Sequence, residues 1–259
     1  MTAGQSGPDD AVRALSIAGE GTDCGILLIH GITGSPASLR PLAADVAQRT
    51  GAAAEVPLLA GHGTRWQELS RARWEDWTAD VDAAFDDLSG RCARVVVVGL
   101  SMGGALALDL AQRRPGVAAL VLVNPALYID SPLAPVLPVL GRVVRSVPAI
   151  GDDIARPGVT ERAYPRTPLR AIARFHRALP GVRARLWEVR NPVTLCLSGA
   201  DAVVGPRSAR TLRRRLPAPP RIIALRRSRH VATLDYDTPL IADAIAAHVG
   251  PQPGGGAPA

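Results

Sequence analysis

Apolar residues along the chain follow two patterns, short continuous runs and helical repeats. Continuous runs are typical of buried parallel strands, and helical repeats place apolar side chains on one face of a helix. Strands are predicted within residues 24–31, 52–59, 94–101, 117–126, 191–201 and 219–230. Helices are predicted within residues 38–51, 64–90, 102–116 and 237–249.

Strands that alternate with helices predict an α/β fold with a mostly parallel central sheet flanked by helices. Residues 127–190 break the alternation, since they show no strong strand pattern and several short helical pieces punctuated by proline. A connection of this length inside a compact domain is usually functional. We therefore expect a small helical cap at 127–190, inserted into a core formed by 21–126 and 191–249.

The two ends of the chain are expected to lie outside this core. Residues 1–20 are polar and contain glycine and proline, which predicts a flexible N-terminal tail, and 250–259 predict a disordered C-terminal tail. No basic segment followed by an apolar one marks a secretory signal, and no apolar run approaches the length of a membrane span. We expect a cytoplasmic protein without stable membrane insertion.

The net charge of +7 raises the question of a nucleic-acid partner. All 30 basic residues are arginine, which indicates a compositional bias of the whole chain, and the basic runs are short and lack interleaved aromatic residues. We therefore expect no nucleic-acid partner. The three cysteines are widely spaced and are interpreted as buried small apolar residues. The sequence carries no signal for an oligomeric state.

The stretch VVVVGLSMGG places Ser101 between a predicted strand and a predicted helix. Residues 99–103 match G-x-S-x-G, in which the serine occupies a sharp turn and projects its hydroxyl above the sheet. The amino end of the following helix favours a developing oxyanion. We interpret Ser101 as a nucleophile, and the alternative is a serine chosen only for its size.

A serine nucleophile needs a base, and the base needs an acid that orients it. His230 follows the last predicted strand, and Asp201 ends the strand before it, so the chain order is Ser101, Asp201, His230, as in α/β-hydrolases. The alternative for Asp201 is a helix cap. Asp235 and Asp237 are expected to cap the last helix. No metal-binding or dinucleotide motif is present, and we expect no cofactor.

An oxyanion hole needs two backbone donors near the serine. The N–H of Met102 is the first candidate, because it directly follows the nucleophile. The N–H of Ile32, in the glycine-containing loop HGITGSP, is the second. His30 and His62 are interpreted as residues that fix loops by hydrogen bonds.

The resemblance of this chain to a known family rests on longer stretches around these residues and elsewhere. They are LLIHGITGSP, LLAGHGT, RWEDW, VVGLSMGG, ERAYPRTP and RHVATLDYD. With them the chain, over residues 22–248, resembles the bacterial monoacylglycerol lipases and related small carboxylesterases. The resemblance implies an α/β-hydrolase fold with a helical cap and hydrolysis of esters of a small alcohol, often glycerol. It implies the same roles for Ser101, Asp201, His230, Ile32 and Met102.

The resemblance also implies that Glu161 contacts the glycerol hydroxyls, against the alternative of an exposed or helix-pairing glutamate. Two departures are an isoleucine at 32, where the family often has an aromatic residue, and LAGHG in place of P-G-H-G. The expected function is a serine ester hydrolase for small-molecule or lipid esters with an apolar acyl chain, most specifically monoacylglycerols. Alternatives are a general carboxylesterase, a thioesterase, or an inactive binding module.

Overall fold

The computed structural model describes residues 10–20, 23–131, 134–149 and 151–250. The strands in these ranges are β1 Leu15–Ile17, β2 Cys24–Ile29, β3 Ala53–Val56, β4 Arg94–Leu100, β5 Val117–Val123, β6 Ser146–Pro148, β7 Arg166–Pro168, β8 Val193–Ser198 and β9 Arg221–Leu225. The α-helices are α1 Arg40–Thr50, α2 Trp66–Leu69, α3 Trp74–Ser89, α4 Met102–Arg113, α5 Leu137–Val143, α6 Leu169–Ala184, α7 Arg207–Arg215 and α8 Thr238–Val249. The predicted tail over 250–259 lies outside the described residues, except for Gly250.

Seven strands form one sheet in the order β1-β3-β2-β4-β5-β8-β9. Every neighbouring pair is parallel except β1 and β3, which are antiparallel. In the centre, Val97 of β4 lies between Leu27 of β2 and Leu120 of β5. The predicted mostly parallel sheet is confirmed.

The continuous apolar runs of the central strands supply two cores, because successive side chains of a strand point to opposite faces. Leu27 and Val97 pack on the face covered by α3 and α4. Leu28 and Val98 pack on the face covered by α1 and α8. All four are fully buried, and burying a side chain of this size contributes roughly 1.5–3 kcal/mol. The two cores hold the strand ends at fixed positions.

The expectation of a flexible tail over 1–20 is corrected for residues 10–20, where β1 pairs with β3 at the sheet edge. Leu15 and Ile17 pack against the core on the side of α1 and α8. The segment before β1 is held by Arg40, whose guanidinium donates to the carbonyl oxygens of Asp10 and Ala11 at 2.8 and 2.9 Å. The sequence of residues 10–20 alone does not reveal these contacts, because Arg40 is about 30 positions further along the chain.

The helical pattern over 64–90 forms two helices, α2 and α3, instead of one. The break lies at Arg73, which has extended backbone angles and whose N–H donates to the Asp76 carboxylate at 2.8 Å. An acid three residues into a helix that binds the N-cap backbone is a common start signal. Among the helices in the described ranges, none combines the length and apolar character needed to cross a membrane.

Between β5 and β8 the chain forms α5, the antiparallel pair β6 and β7, and α6. Helix α6 is longer than the short pieces that the sequence predicts, and it continues through Pro180. Leu137, Leu169 and Ala173 form a small apolar cluster that joins α5 to α6. The division into core and cap at 127 and 190 stays a prediction.

Candidate active site

Ser101 forms the turn that joins β4 to α4. Its φ of 55° and ψ of −114° are uncommon for a residue other than glycine. Strained backbone of this kind is concentrated at functional sites. Close packing around the turn requires glycine, since a Cβ on Gly99 would overlap the Gly103 backbone and a Cβ on Gly103 would overlap the Ile29 carbonyl group. The strand, turn and helix that give G-x-S-x-G its meaning are therefore present.

Met102 is the first residue of α4. The N–H groups of the first helical turn have no acceptor within the helix, and the amino end of a helix carries a partial positive charge. The Met102 side chain is fully buried in the core under α3 and α4. This side chain serves packing, and the role of the Met102 backbone N–H as an oxyanion donor stays a prediction.

His230 and Asp201 follow β9 and β8, which are neighbours in the sheet, so both reach the same sheet edge. Nδ1 of His230 lies 2.8 Å from Oδ2 of Asp201, and both side chains are more than nine-tenths buried. The carboxylate favours the tautomer with the proton on Nδ1, which leaves Nε2 as a proton acceptor. The other oxygen of Asp201 accepts the N–H groups of Val203 and Val204, each at 2.8 Å. One carboxylate therefore caps a turn and binds the histidine.

Asn124, directly after β5, fixes the loop that carries His230. It also has a positive φ, 44°. Its Nδ2 donates to the His230 carbonyl oxygen at 2.8 Å and to Oγ of Ser198 at 2.9 Å. Its Oδ1 accepts the Ser198 N–H at 2.8 Å. The sequence alone does not single out Asn124, because an asparagine before proline is typical of any turn.

His30 and His62 fix the loop that carries Ile32. Nδ1 of His30 lies 2.9 Å from the Gly31 carbonyl oxygen, and its Nε2 accepts the Leu59 N–H at 3.3 Å. Nε2 of His62 lies 2.8 Å from the Ile32 carbonyl oxygen. Both histidines thus fix loops, as the sequence predicts, and they orient the peptide segment that would present the Ile32 N–H.

Burial sets the protonation of these two histidines. Burial, together with the smaller effect of the neighbouring His62, lowers the pKa of His30 to about 3, in opposition to its hydrogen bond with the Gly31 carbonyl group. Burial also lowers the pKa of His62, in opposition to its hydrogen bonds with the carbonyl groups of Ile32, Leu59 and Ala60. His30 is therefore uncharged at neutral pH, donates through Nδ1 and accepts through Nε2.

Glu161 is buried and lies in a loop of the insertion, so it is neither the exposed nor the helix-pairing residue of the alternative interpretation. Its Oε1 accepts the Asp152 N–H at 3.2 Å, and the Asp152 carboxylate accepts the Glu161 N–H at 2.7 Å. A Cβ on Gly34 would lie 3.2 Å from its Oε2, which places Glu161 against the loop of Ile32. Burial raises the pKa of Glu161, in opposition to the Asp152 hydrogen bond and the charge of His230.

A cavity of about 280 Å³ joins these groups. Ser101, His230, Ile32 and Glu161 line it, together with residues of the insertion. Most of the other lining side chains are apolar, among them Leu100, Ile129, Leu137, Val147, Leu169, Ile172, Phe175, Val203, Val204 and Val231. The arrangement places the Ser101 hydroxyl, the His230 ring and the carboxyl groups of Glu161 and Asp130 around a mostly apolar space.

The expected caps of the last helix are corrected by the structure. Asp235 accepts the N–H groups of Arg229 and Ala155 at 2.9 and 2.7 Å, so it connects the segment between β5 and β8 to the loop that carries His230. Asp237 accepts the Arg227 N–H at 2.7 Å, and α8 begins without a side-chain cap. The N–H groups of Arg227 and Arg229 have no partner in a strand ladder, and the two carboxylates satisfy them instead.

A protein family and several characterised proteins are similar to this chain over most of its length. The family model described as serine aminopeptidase, S33, matches residues 22–236. A thermostable monoacylglycerol lipase from Bacillus sp. (strain H-257) is 38% identical over 218 residues, which cover 84% of this chain and 86% of that protein. A carboxylesterase from Bacillus subtilis (strain 168) is 24% identical over 224 residues, which cover 86% and 90%.

A solved structure gives the same result for the fold. It comes from work on LipS and LipT, two metagenome-derived lipolytic enzymes, and is 35% identical with a TM-score of 0.87 over 92% of this chain and 97% of that one. The predicted fold and the resemblance to monoacylglycerol lipases and small carboxylesterases are confirmed. The chain belongs to the serine aminopeptidase S33 family of α/β-hydrolases.

Proposed function

We propose that this hydrolase cleaves carboxylic esters with an apolar acyl chain, and that monoacylglycerols are its preferred substrates. One observation carries the proposal: Ser101 and His230 line a single apolar cavity, and Asp201 binds the other ring nitrogen of His230. Relatives named as a monoacylglycerol lipase and a carboxylesterase support the ester bond as the target.

In the first half of the proposed reaction, Oγ of Ser101 attacks the ester carbonyl carbon while Nε2 of His230 takes the hydroxyl proton. Asp201 keeps the ring oriented and stabilises the imidazolium. The N–H groups of Ile32 and Met102 donate to the oxyanion, and loss of one such donor typically costs about 3–4 kcal/mol of transition-state stabilisation. The intermediate collapses to an acyl-enzyme, and His230 protonates the departing alcohol.

In the second half, a water molecule takes the place of the alcohol. His230 removes its proton, the resulting hydroxide attacks the acyl carbon, and Ser101 leaves with the proton that His230 returns. The products are a carboxylic acid and a regenerated serine. This mechanism uses no metal ion and no organic cofactor.

Glu161 gives the site its preference for a polyhydric alcohol in this proposal. Residues 127–190 contribute two carboxyl groups to the cavity lining, those of Asp130 and Glu161, and Glu161 is the one beside the loop of Ile32. A buried carboxylate accepts hydrogen bonds from hydroxyl groups more strongly than a neutral acceptor does. The apolar side chains of residues 127–190 shelter the acyl chain, and this segment acts as a cap.

The test is a comparison of kcat/KM for a monoacylglycerol and for the ethyl ester of the same fatty acid, over several chain lengths. We expect the monoacylglycerol to be preferred by about tenfold, which corresponds to about 1.4 kcal/mol of additional binding in the transition state. Equal values for the two esters would remove the glycerol preference and leave a general carboxylesterase. Turnover of thioesters alone, or of neither ester, would contradict the ester proposal.

Substitution of Glu161 by glutamine tests its role in the same assay. Glutamine keeps the oxygen that accepts the Asp152 N–H, so the loop should fold as before, but it loses the charge. We expect kcat/KM to fall by about tenfold for the monoacylglycerol and to change little for the ethyl ester. Glu68→Gln, at a partly exposed glutamate of α2, serves as the matched control. An equal loss on both esters would contradict selective binding of glycerol.

The general carboxylesterase is the second candidate function, favoured by the carboxylesterase relative from Bacillus subtilis. It shares the triad and the apolar cavity and differs only in the role of Glu161. The cytoplasm stays our proposed location, in line with three buried cysteine thiols at positions 24, 92 and 196.

A further inference from the structure

Asp153 is a buried carboxylate of the insertion that touches the backbone of two loops of the core. Its side chain is 7% exposed. Its Oδ2 accepts the N–H of His230 at 3.2 Å and the N–H of Ala202 at 3.0 Å. Its own carbonyl oxygen accepts the Val231 N–H at 3.1 Å. Three hydrogen bonds therefore hold this residue between the ends of β8 and β9.

The two loops are those that carry the proposed acid and base. Ala202 directly follows Asp201, and the other N–H belongs to His230 itself. A single carboxylate oxygen thus bridges backbone positions on both sides of the 2.8 Å contact between Asp201 and His230. Both positions lie in irregular segments after strand ends, where no ladder hydrogen bond fixes them.

An ion pair does not account for this burial. The guanidinium nearest to the carboxylate is that of Arg229, 3.5 Å away, and its side chain is 54% exposed. An exposed partner at this distance contributes little to stability. The short contacts of Asp153 are those with backbone N–H groups, and their effect is to fix the two loops relative to each other.

We propose that Asp153 is a positioning residue, which holds Asp201 and His230 at bonding distance and so makes the ordered insertion a condition for activating Ser101. The inference rests on the proposed function, in which these three residues form the triad. Asp152, the preceding residue, exchanges two hydrogen bonds with Glu161. Asp152 and Asp153 therefore connect Glu161, the proposed contact of the alcohol, with the loops of the proposed acid and base.

The experiment measures the phosphonylation of Ser101 by a p-nitrophenyl alkylphosphonate, which releases p-nitrophenol once per site. The final extent counts folded sites, whereas the first-order rate constant reports how well each serine is activated. A residue that serves stability alone changes the extent and leaves the rate constant unchanged. The parent protein, Asp153→Ala and Asp153→Asn are compared with Asp109→Ala, which removes a carboxylate of similar burial on α4.

We expect Asp153→Ala to lower the rate constant on the order of 10- to 100-fold, because small displacements of reacting groups have effects of this size. Asp153→Asn keeps an oxygen acceptor in place and should react within about threefold of the parent. Asp109→Ala should keep the parent rate constant. If Asp153→Ala does not fold, Asp153→Glu supplies the same test, since it keeps the charge but displaces the acceptor.

A second readout does not depend on the phosphonate. The proton on Nδ1 of His230, shared with Asp201, gives a downfield proton resonance that should persist in Asp153→Asn and disappear in Asp153→Ala. A rate constant for Asp153→Ala within about twofold of the parent, or Asp153→Asn as slow as Asp153→Ala, would overturn the inference. A parent protein that shows the resonance but does not react would contradict the proposed function instead.

Discussion

At the scale of single residues, the site depends on groups whose conformation or protonation is set by burial. Ser101 holds a backbone conformation that other residues avoid, and the pKa of Glu161 is raised by its removal from water. His30 is the extreme case, because its ring is enclosed and bonded in one neutral tautomer. The same burial that shapes the loop of Ile32 makes the fold sensitive to acid.

The buried His30 predicts a specific loss of stability in acid. Its pKa falls from about 6.5 in the unfolded chain to about 3 in the folded one, so the unfolded state binds more protons between these values. Its contribution is complete above pH 6.5 and is lost as the pH falls toward 3, with a slope of about 1.4 kcal/mol per pH unit. Urea unfolding from pH 7 to pH 4 measures this slope.

The variant His30→Gln isolates this contribution. Glutamine does not titrate, so the free energy of unfolding should start lower at pH 7 but fall less steeply, by about 1.4 kcal/mol per pH unit. Carboxylates elsewhere titrate equally in both proteins and cancel in the difference. Parallel curves for the two proteins would show that His30 does not carry the effect.

At the scale of secondary structure, each of five neighbouring strands is followed by one residue of the candidate site. In the sheet order β2-β4-β5-β8-β9, the segments after the strands contain the following residues: Ile32, Ser101, Asn124, Asp201 and His230. The carboxyl ends of parallel strands meet at one edge, where an open α/β sheet binds its ligands. Helix α4 begins directly after Ser101. The distance between α4 and β2 therefore sets the position of Ser101.

Gly103→Ala tests that approach. Its new Cβ would overlap the backbone of Ile29, which cannot move without displacing β2, so we expect the free energy of unfolding to fall by about 3 kcal/mol. Gly181→Ala on α6 is the matched control, because its Cβ meets open space and should be neutral or stabilising by about 0.5–1 kcal/mol. Chemical unfolding compares the two, and equal stability of Gly103→Ala and the parent would contradict the packing account.

Much of this element-level arrangement follows from the sequence, because it rests on local signals. Apolar runs identify buried strands, G-x-S-x-G reports a turn within five residues, and the order of Asp201 and His230 after two strands follows from topology. Asn124 and Asp153 carry no such signal. Their partners lie 49 to 106 residues away, and only the folded chain brings them together. The pairing of β1 escapes prediction for the same reason.

At the scale of the whole molecule, the core and the insertion build one site. The predicted core contributes Ser101 and His230 to the cavity, with Asp201 bonded to His230, while residues 127–190 contribute Glu161 and much of the apolar lining. Asp153 accepts the His230 N–H and Asp235 accepts the Ala155 N–H, and these two hydrogen bonds connect the two parts. The proposed ester hydrolysis, which needs both an activated serine and a sheltered acyl chain, accounts for this division.

The central claim, that Ser101 is an activated nucleophile open to an acyl chain, is tested most directly by the intact mass of the protein after treatment with a long-chain alkyl fluorophosphonate. We predict a single adduct, located on Ser101, absent from Ser101→Ala and retained in Ser89→Ala. A parent protein that gains no mass, or that carries its adduct on another residue, would contradict the claim.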